Sequence, residues 1–375
     1  MTSRRIVFAP DSFKGSCAAA DVARALAAGS GAVDPVLRPM ADGGEGTLGA
    51  IAAAVPGARH TPVRVTGPRG LPVDAAWLWL PPTDDAPQGT GVVELASTSG
   101  IELLGDERRP WDASTLGFGQ AIAAALAHGV SRLVLAIGSS ASTDGGTGLL
   151  TALGARFTDA FEVSIAPGAA GLEELAIADL SRLRGLPEGG VQVLTDVTSP
   201  LLGSAGAAAV FGPQKGIDDV ARADAALGRL VDALRRLPGA TLAETAARHA
   251  DPEAPGAGAA GGAGYGLLAW GAELVPGAAR IAELTGLREA IAGADLVVTG
   301  EGAFDGQSAV GKAPGVVAAL AAEAGVPVAL VAGRIAPGAD MSAFARVVSL
   351  TDLAGSAEAA LTEPERWIEA AGAML

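Results

Sequence analysis

One cysteine, Cys17, is all the chain has. That excludes an intramolecular disulfide and a multi-cysteine metal site, and it points to a reducing cytosol. The three histidines, His60, His128 and His249, are scattered outside any motif, which leaves little for a Ser-His-Asp hydrolase or a histidine zinc site. Nowhere do 18 apolar residues run together, so no membrane span is expected. The first apolar run covers only 6–9, too short for a signal-peptide core, and a cytoplasmic location is expected. Basic charge is scarce too: a net charge of −15 argues against nucleic acid as a partner. The scarcest useful residue is lysine. Only Lys14, Lys215 and Lys312 occur among the 26 basic residues, and all three sit in Gly- or Pro-containing loops. Lysine is a compact point charge suited to phosphate, where arginine is a planar fork.

What is present is a large apolar chain of 375 residues, 49% hydrophobic and 18% charged. That length exceeds one ordinary core and predicts two domains. Glycine is abundant, 53 residues, and gathers in Gly-Gly and Gly-x-Gly clusters beside polar residues, as backbone-rich ligand loops require.

Several stretches read strand, polar loop, helix. "RIVFA" leads through "PDSFKGS" into "AAADVARALAAG", and "PVLRPM" leads through "ADGGEG" into "TLGAIAAAV". Near the C-terminus, "ADLVVTG", "EGAFDGQSAVGKA" and "PGVVAALAAEAG" repeat the pattern, followed by strands "VPVALVAG" and "ARVVSL". Open parallel α/β sheets place ligands at such strand ends. In the middle, "PVDAAWLWL" and "GVVELA" suggest antiparallel strands, "SRLVLAIG" and "VQVLTDV" further strands, and 218–237 a long helix. "PGAGAAGGAGYG" reads as a tight loop that lets a ligand approach, before a helix at 265–274. The outer segments resemble each other and differ from the middle. The expected organisation is therefore a discontinuous α/β domain, 1–65 plus 285–375, with a mixed α/β domain, 66–284, inserted, and an active site in the cleft between them.

Five loops carry candidate chemistry. "APDSFKGS" offers Ser12, Lys14 and Ser16 for an anion, and Asp11 for Mg²⁺ or a substrate hydroxyl. "MADGGEG" sets Asp42 and Glu45 around Gly43 and Gly44. "IGSSASTDGGTG" presents Ser140, Thr143 and Asp144 for phosphate or a small hydroxy acid. "TDVTSP" puts Asp196 at a strand end, where it could take a hydroxyl proton, and "GPQKG" adds Lys215. "TGEGAFDGQSAVGK" carries Glu301, Asp305, Gln307 and Lys312. Ordinary capped turns would show similar residues at each of these places. Gly306, Gly311 and Lys312 fit G-x-x-x-x-G-K, but Ala313 has no hydroxyl for Mg²⁺. The strand is expected to end near Thr299, seven residues before Gly306, and no P-loop helix is expected to open at Ala313. A true P-loop is disfavoured.

Taken together and in order, "APDSFKGS", "MADGGEGT", "VTGPRG", "VFGPQKG", "GAGAAGG" and "TGEGAFDGQSAVGKAP" resemble the glycerate kinase type 1 family over nearly the whole chain. The resemblance implies ATP-dependent phosphorylation of D-glycerate with Mg²⁺. The expected product is 2-phosphoglycerate rather than 3-phosphoglycerate. It also implies two α/β domains, one discontinuous and flavodoxin-like with a parallel, Rossmann-like sheet. Three departures stand out. The family loop "GGSAT" has Ser139 in place of a glycine and Ser142 in place of a threonine. Ser199 replaces the asparagine of "DVTNP".

On this reading the catalytic candidates are Asp196, then Asp42, with Lys14 and Lys312. The candidates for substrate or phosphate binding are Ser12, Ser16, Gly43, Gly44, Ser140, Thr143, Asp144, Lys215 and Gln307. Asp11, Glu45, Glu301 and Asp305 are candidates for metal. The expected partners are ATP and D-glycerate, with no nucleic acid and no membrane, in a monomer or homodimer. A kinase for another small hydroxy acid and a non-catalytic glycerate or nucleotide sensor are the alternatives. A nicotinamide dehydrogenase is excluded, because no G-x-G-x-x-G follows the first strand.

Overall fold

The structure is a computed structural model and describes residues 4–306 and 311–375. The chain divides into two compact α/β units. The first comprises Met1–Asp42, Gly46–Pro56 and Pro276–Leu375, the second Gly43–Glu45 and Gly57–Val275. The domain boundaries expected at 65/66 and 284/285 thus fall at 56/57 and 275/276. The reason is local. Strand Arg59–Thr66 pairs along its whole length with Pro72–Leu80 and belongs to the second sheet.

The first unit is built on five parallel strands in the order Pro35–Leu37, Ile6–Phe8, Leu296–Phe304, Val328–Ile335, Arg346–Ser349. Numbered within the unit, that order is 2-1-3-4-5, the flavodoxin-like doubly wound topology. Ile6, Val7 and Phe8 are all buried, as a parallel strand covered on both faces demands. Helix Ala19–Ser30 buries Val22, Ala23, Leu26 and Ala27 on one face and stops at Gly31, whose φ of 64° makes a left-handed cap. It meets helix Pro364–Gly372 at a glycine contact, where a Cβ on Gly29 would overlap the carbonyl oxygen of Glu369. Each large side chain fully buried here contributes about 1.5–3 kcal/mol.

The second unit holds a six-stranded sheet in the order Glu273–Val275, Val191–Leu194, Arg132–Ala136, Thr90–Glu94, Pro72–Leu80, Arg59–Thr66. The first four strands are parallel and the last two antiparallel, as the alternating "PVDAAWLWL" suggests. Its core gathers Trp77, Phe118, Ile122, Leu133, Leu227 and Tyr265. The helix expected at 265–274 instead ends at Trp270, and Glu273–Val275 becomes the edge strand. The helical stretch nominally opens at Ala259, but Ala260, Gly261 and Gly262 have φ of 55°, 68° and 86°. Three successive left-handed residues cannot be helix, so the glycines make a loop there.

Candidate active site

In the first unit the sheet order reverses direction between Ile6–Phe8 and Leu296–Phe304. This is the switch point at which such sheets open a crevice for ligands. The loops leaving these two strands are tied together: the Ala9 amide donates to Val298 O at 2.7 Å and the Asp11 amide to Gly300 O at 2.8 Å. Asp11 is half-buried and accepts from the Ser12 amide at 2.6 Å. Burial, then the negative charge of Asp42, with a further contribution from Glu301, pushes the Asp11 carboxyl up to about 8. Asp42 is exposed and Glu301 is buried in the strand. Three of the expected acids therefore feel one another here. Lys14 is exposed on the same loop, and Ser16 is turned inward, its Oγ donating to Phe13 O at 2.9 Å.

The loop ending in Lys312 differs from expectation. The third strand does not stop near Thr299 but runs to Phe304, pairing as far as Ala303↔Arg334 and Phe304↔Ile335. Gly306 therefore follows it by two residues. A helix does open at Ala313, with Lys312 as its N-cap residue and Pro314 in the first turn. The spacing from strand end to Gly306 is thus closer to that of a phosphate loop than expected. The missing hydroxyl at Ala313 stands. Asp305 and Lys312 are half-buried, while Gln307 lies outside the described residues.

The other candidates are in the second unit. Gly43, with φ of 94°, lies so close to strand Val191–Leu194 that a Cβ would come within 2.8 Å of Leu194 Cβ. The Gly138 amide donates to Gly43 O at 2.9 Å, and a Cβ on Gly138 would meet Gly44 Cα at 2.5 Å. These glycines pack loop on loop. Glu45 and Asp196 are exposed. Asp144 is fully buried and saturated. It accepts from the Thr115 amide and Oγ1 at 2.8 Å each, from the Gly146 amide at 3.1 Å and from the Gly148 amide at 3.3 Å. Ser140 and Thr143 are buried beside it.

Lys215 is only 2% exposed. Its Nζ donates to Ser140 Oγ at 2.8 Å and to Ser142 O at 2.6 Å. Burial lowers its ammonium to about 7, against the attraction of Asp144. The "GAGAAGG" loop, expected to let a ligand approach, approaches this lysine instead: a Cβ on Gly261 would lie 2.9 Å from Nζ.

Among the described residues no three His, Cys, Asp or Glu side chains gather as a metal cage. Glu45 belongs to a different unit from Asp11, Glu301 and Asp305. Asp11 and Glu301 nonetheless fit Mg²⁺ chemically. They are hard oxygen donors, burial and like charge already disfavour an ionised Asp11, and Mg²⁺ needs only one or two carboxylates when phosphates and water complete its shell.

A cavity of about 290 Å³ in the second unit is lined by Glu45, Glu94, Ser97, Glu102, Ile101 and Ser139, among others. Glu94, 6% exposed at the C-terminal end of Thr90–Glu94, was not singled out from the sequence. Its place straight after the apolar "GVV" was the available signal. Ser139 has φ of 60°. The family glycine it replaces suits that backbone; a serine there costs about 1 kcal/mol.

A family model described as the glycerate kinase family matches residues 6–375. A glycerate kinase of Halalkalibacterium halodurans is 40% identical over 89% of this chain and 86% of its own. The glycerate 2-kinase of Escherichia coli K12 is 39% identical over 88% and 85%. A crystal structure described as a glycerate kinase 2 from Salmonella typhimurium LT2 superposes with a TM-score of 0.81 and 36% identity. It covers 100% of this chain and 97% of that one.

Proposed function

The chain belongs to the glycerate kinase family, and from that premise we propose that it transfers the γ-phosphate of ATP to a hydroxyl of D-glycerate, with 2-phosphoglycerate as the favoured product and Mg²⁺ as the metal. As an enzyme it is a phosphotransferase with an alcohol group as acceptor. The observation that carries the finer reading is the raised Asp11 carboxyl beside Asp42 and Glu301, at the switch point of the parallel sheet. Burial and the charges of Asp42 and Glu301 disfavour an ionised Asp11, which a bound cation would relieve, and the adjoining loops carry Lys14 and Lys312.

Phosphoryl transfer depends on position and on neutralised charge. The glycerate carboxylate and the ATP tail repel by roughly 4 kcal/mol at 4 Å with an effective dielectric of about 20. Asp11 and Glu301, with Asp305 as a further oxygen donor, would hold Mg²⁺, which would neutralise phosphate oxygens. Lys14 and Lys312 supply mobile positive charge to the phosphates. Ser12 and the backbone around it orient the anion. Asp196 is the first choice to accept the hydroxyl proton, with Asp42 second. Lys215 already donates inside the fold, which leaves the phosphate contacts to the other two lysines.

A coupled ADP-release assay with D- and L-glycerate, followed by NMR of the product, tests this. D-Glycerate-dependent release with phosphate on carbon 2 is expected. Binding of glycerate without ADP release would overturn the reading.

A further inference from the structure

We propose that Lys215 is a positioning residue: its buried side chain clamps segment 139–142, and through it the wall of the 290 Å³ cavity, in the conformation that turnover requires. The catalytic consequence rests on the glycerate kinase reading. Four observations carry the clamp.

Nζ is walled off, 2% exposed and closed over by Gly261, so no substrate atom reaches it. Its two hydrogen bonds both end on the segment, at Ser140 Oγ and Ser142 O. The segment has few other side-chain ties. Ser142 Oγ and Thr143 Oγ1 are buried and find no hydrogen-bond partner among the described residues. On its other side the segment is paired with the cavity wall: Gly100 bridges Ser140, the Ile101 amide donates to Ser139 O at 2.9 Å, and the Ala141 amide to Ser99 O at 3.1 Å. Gly100, Ile101 and Ser139 all line the cavity. Pull from Lys215 therefore reaches the wall through one stretch of backbone.

The strain at Ser139 needs such a clamp. A non-glycine residue at φ of 60° persists only where its surroundings over-determine it. Stability alone would not select a lysine here. A buried ammonium is costly, and an apolar side chain of similar length would serve a merely structural purpose as well or better. Asp144, the charged group facing Lys215, has its own donors and does not depend on the lysine.

The test compares Lys215→Met, Ser140→Ala and the double variant with the wild-type enzyme. Lys215→Met should unfold within a few degrees of wild type yet lower kcat with D-glycerate by about 10–100-fold, leaving KM for ATP within about threefold. Ser140→Ala should lower kcat in the same direction, and the double variant should be no worse than Lys215→Met. Hydrogen exchange should show the Ala141 and Ile101 amides opening at least about tenfold faster in Lys215→Met. Unchanged protection there overturns the clamp, whatever the activity. Effects of the two single variants that multiply, or a change confined to KM for ATP, overturn action through Ser140. If Lys215→Met does not fold, Ser140→Ala with wild-type kcat and protection overturns the clamp. Wild-type protein inactive on D-glycerate would sink the kinase reading, while the exchange data would still decide the clamp.

Discussion

In the first unit the strand-end carboxyl of Asp11 is held in an unfavourable place, whereas in the second that of Asp144 is well supplied with donors. Burial first, then the charges of Asp42 and Glu301, keep the proton on Asp11 to about 8. Asp144, of the same residue type on the same kind of strand–loop–helix turn, has four short donors and no conflict. The lysines divide the same way. Lys14 is exposed, and Lys215 is buried with its amine engaged. The first arrangement suits a ligand's charge; the second holds the protein itself. Residue type does not distinguish these roles, but the surroundings of each carboxyl do.

The harshest way to break this contrast is Asp144→Ala. It strands the Thr115, Gly146 and Gly148 amides, and should cost about 3–5 kcal/mol of stability in denaturant titrations. A loss below about 1 kcal/mol would make Asp144 a ligand group and dissolve the contrast. Asp11→Asn should do the reverse. Stability holds or rises, because a repelled carboxyl is gone, while kcat falls about 100-fold, some 2.7 kcal/mol of transition-state stabilisation. A variant that loses stability and keeps its activity would place Asp11 in the scaffold.

Proton linkage sharpens the same comparison, with opposite signs. Between its ordinary 3.8 and about 8, Asp11 keeps a proton in the fold that the unfolded chain has lost, so stability falls as pH climbs through that window and then levels. Lys215 is shifted the other way. Between about 7 and 10.5 the unfolded chain keeps a proton that the fold has shed, so stability rises there. Unfolding midpoints measured from pH 4.5 to 10 should show the acid-side fall vanish in Asp11→Asn and the alkaline rise vanish in Lys215→Met. The smallest expected effect is at Ser139. Ser139→Gly should gain about 1 kcal/mol, because glycine accepts φ of 60° freely. A loss instead would mean that the hydroxyl has a partner worth more than the strain.

Much of the first unit is legible in the sequence because its first strand is a short, fully buried apolar run followed by a helix that ends at glycine, and its strands Leu296–Phe304 and Val328–Ile335 open on buried apolar residues. Gly300, Glu301 and Gly302 break the apolar run of the third strand, so the sequence points to an early end. Pairing with Val328–Ile335, rather than local propensity, carries it on to Phe304. The boundary near 65 was displaced for a similar reason. "RHTPVRVT" is too polar to suggest a strand, and only its partner strand makes it one. At the site, the acids and glycines of the loops were visible as residue types. Lys215 was visible as one of three lysines, but its burial was not, because the groups that enclose it, Ser140, Ser142 and Gly261, lie far away along the chain. Glu94 was passed over because nothing around it spells a motif.

The interrupted first unit also sets a timetable. Ile6 pairs with Leu296, 290 residues further on, and every residue of Gly57–Val275 lies between them. At about 5–20 residues per second on the ribosome, the first strand waits roughly 15–60 seconds for its neighbour to be made. The chain of the second unit is complete at Val275, roughly 1–4 seconds before Leu296 is made, so that unit can start to fold on the way out. Strand Ile6–Phe8, apolar throughout, spends that interval without its central partner. The order of synthesis thus delays the acid-bearing switch point until the whole chain of the second unit has been made.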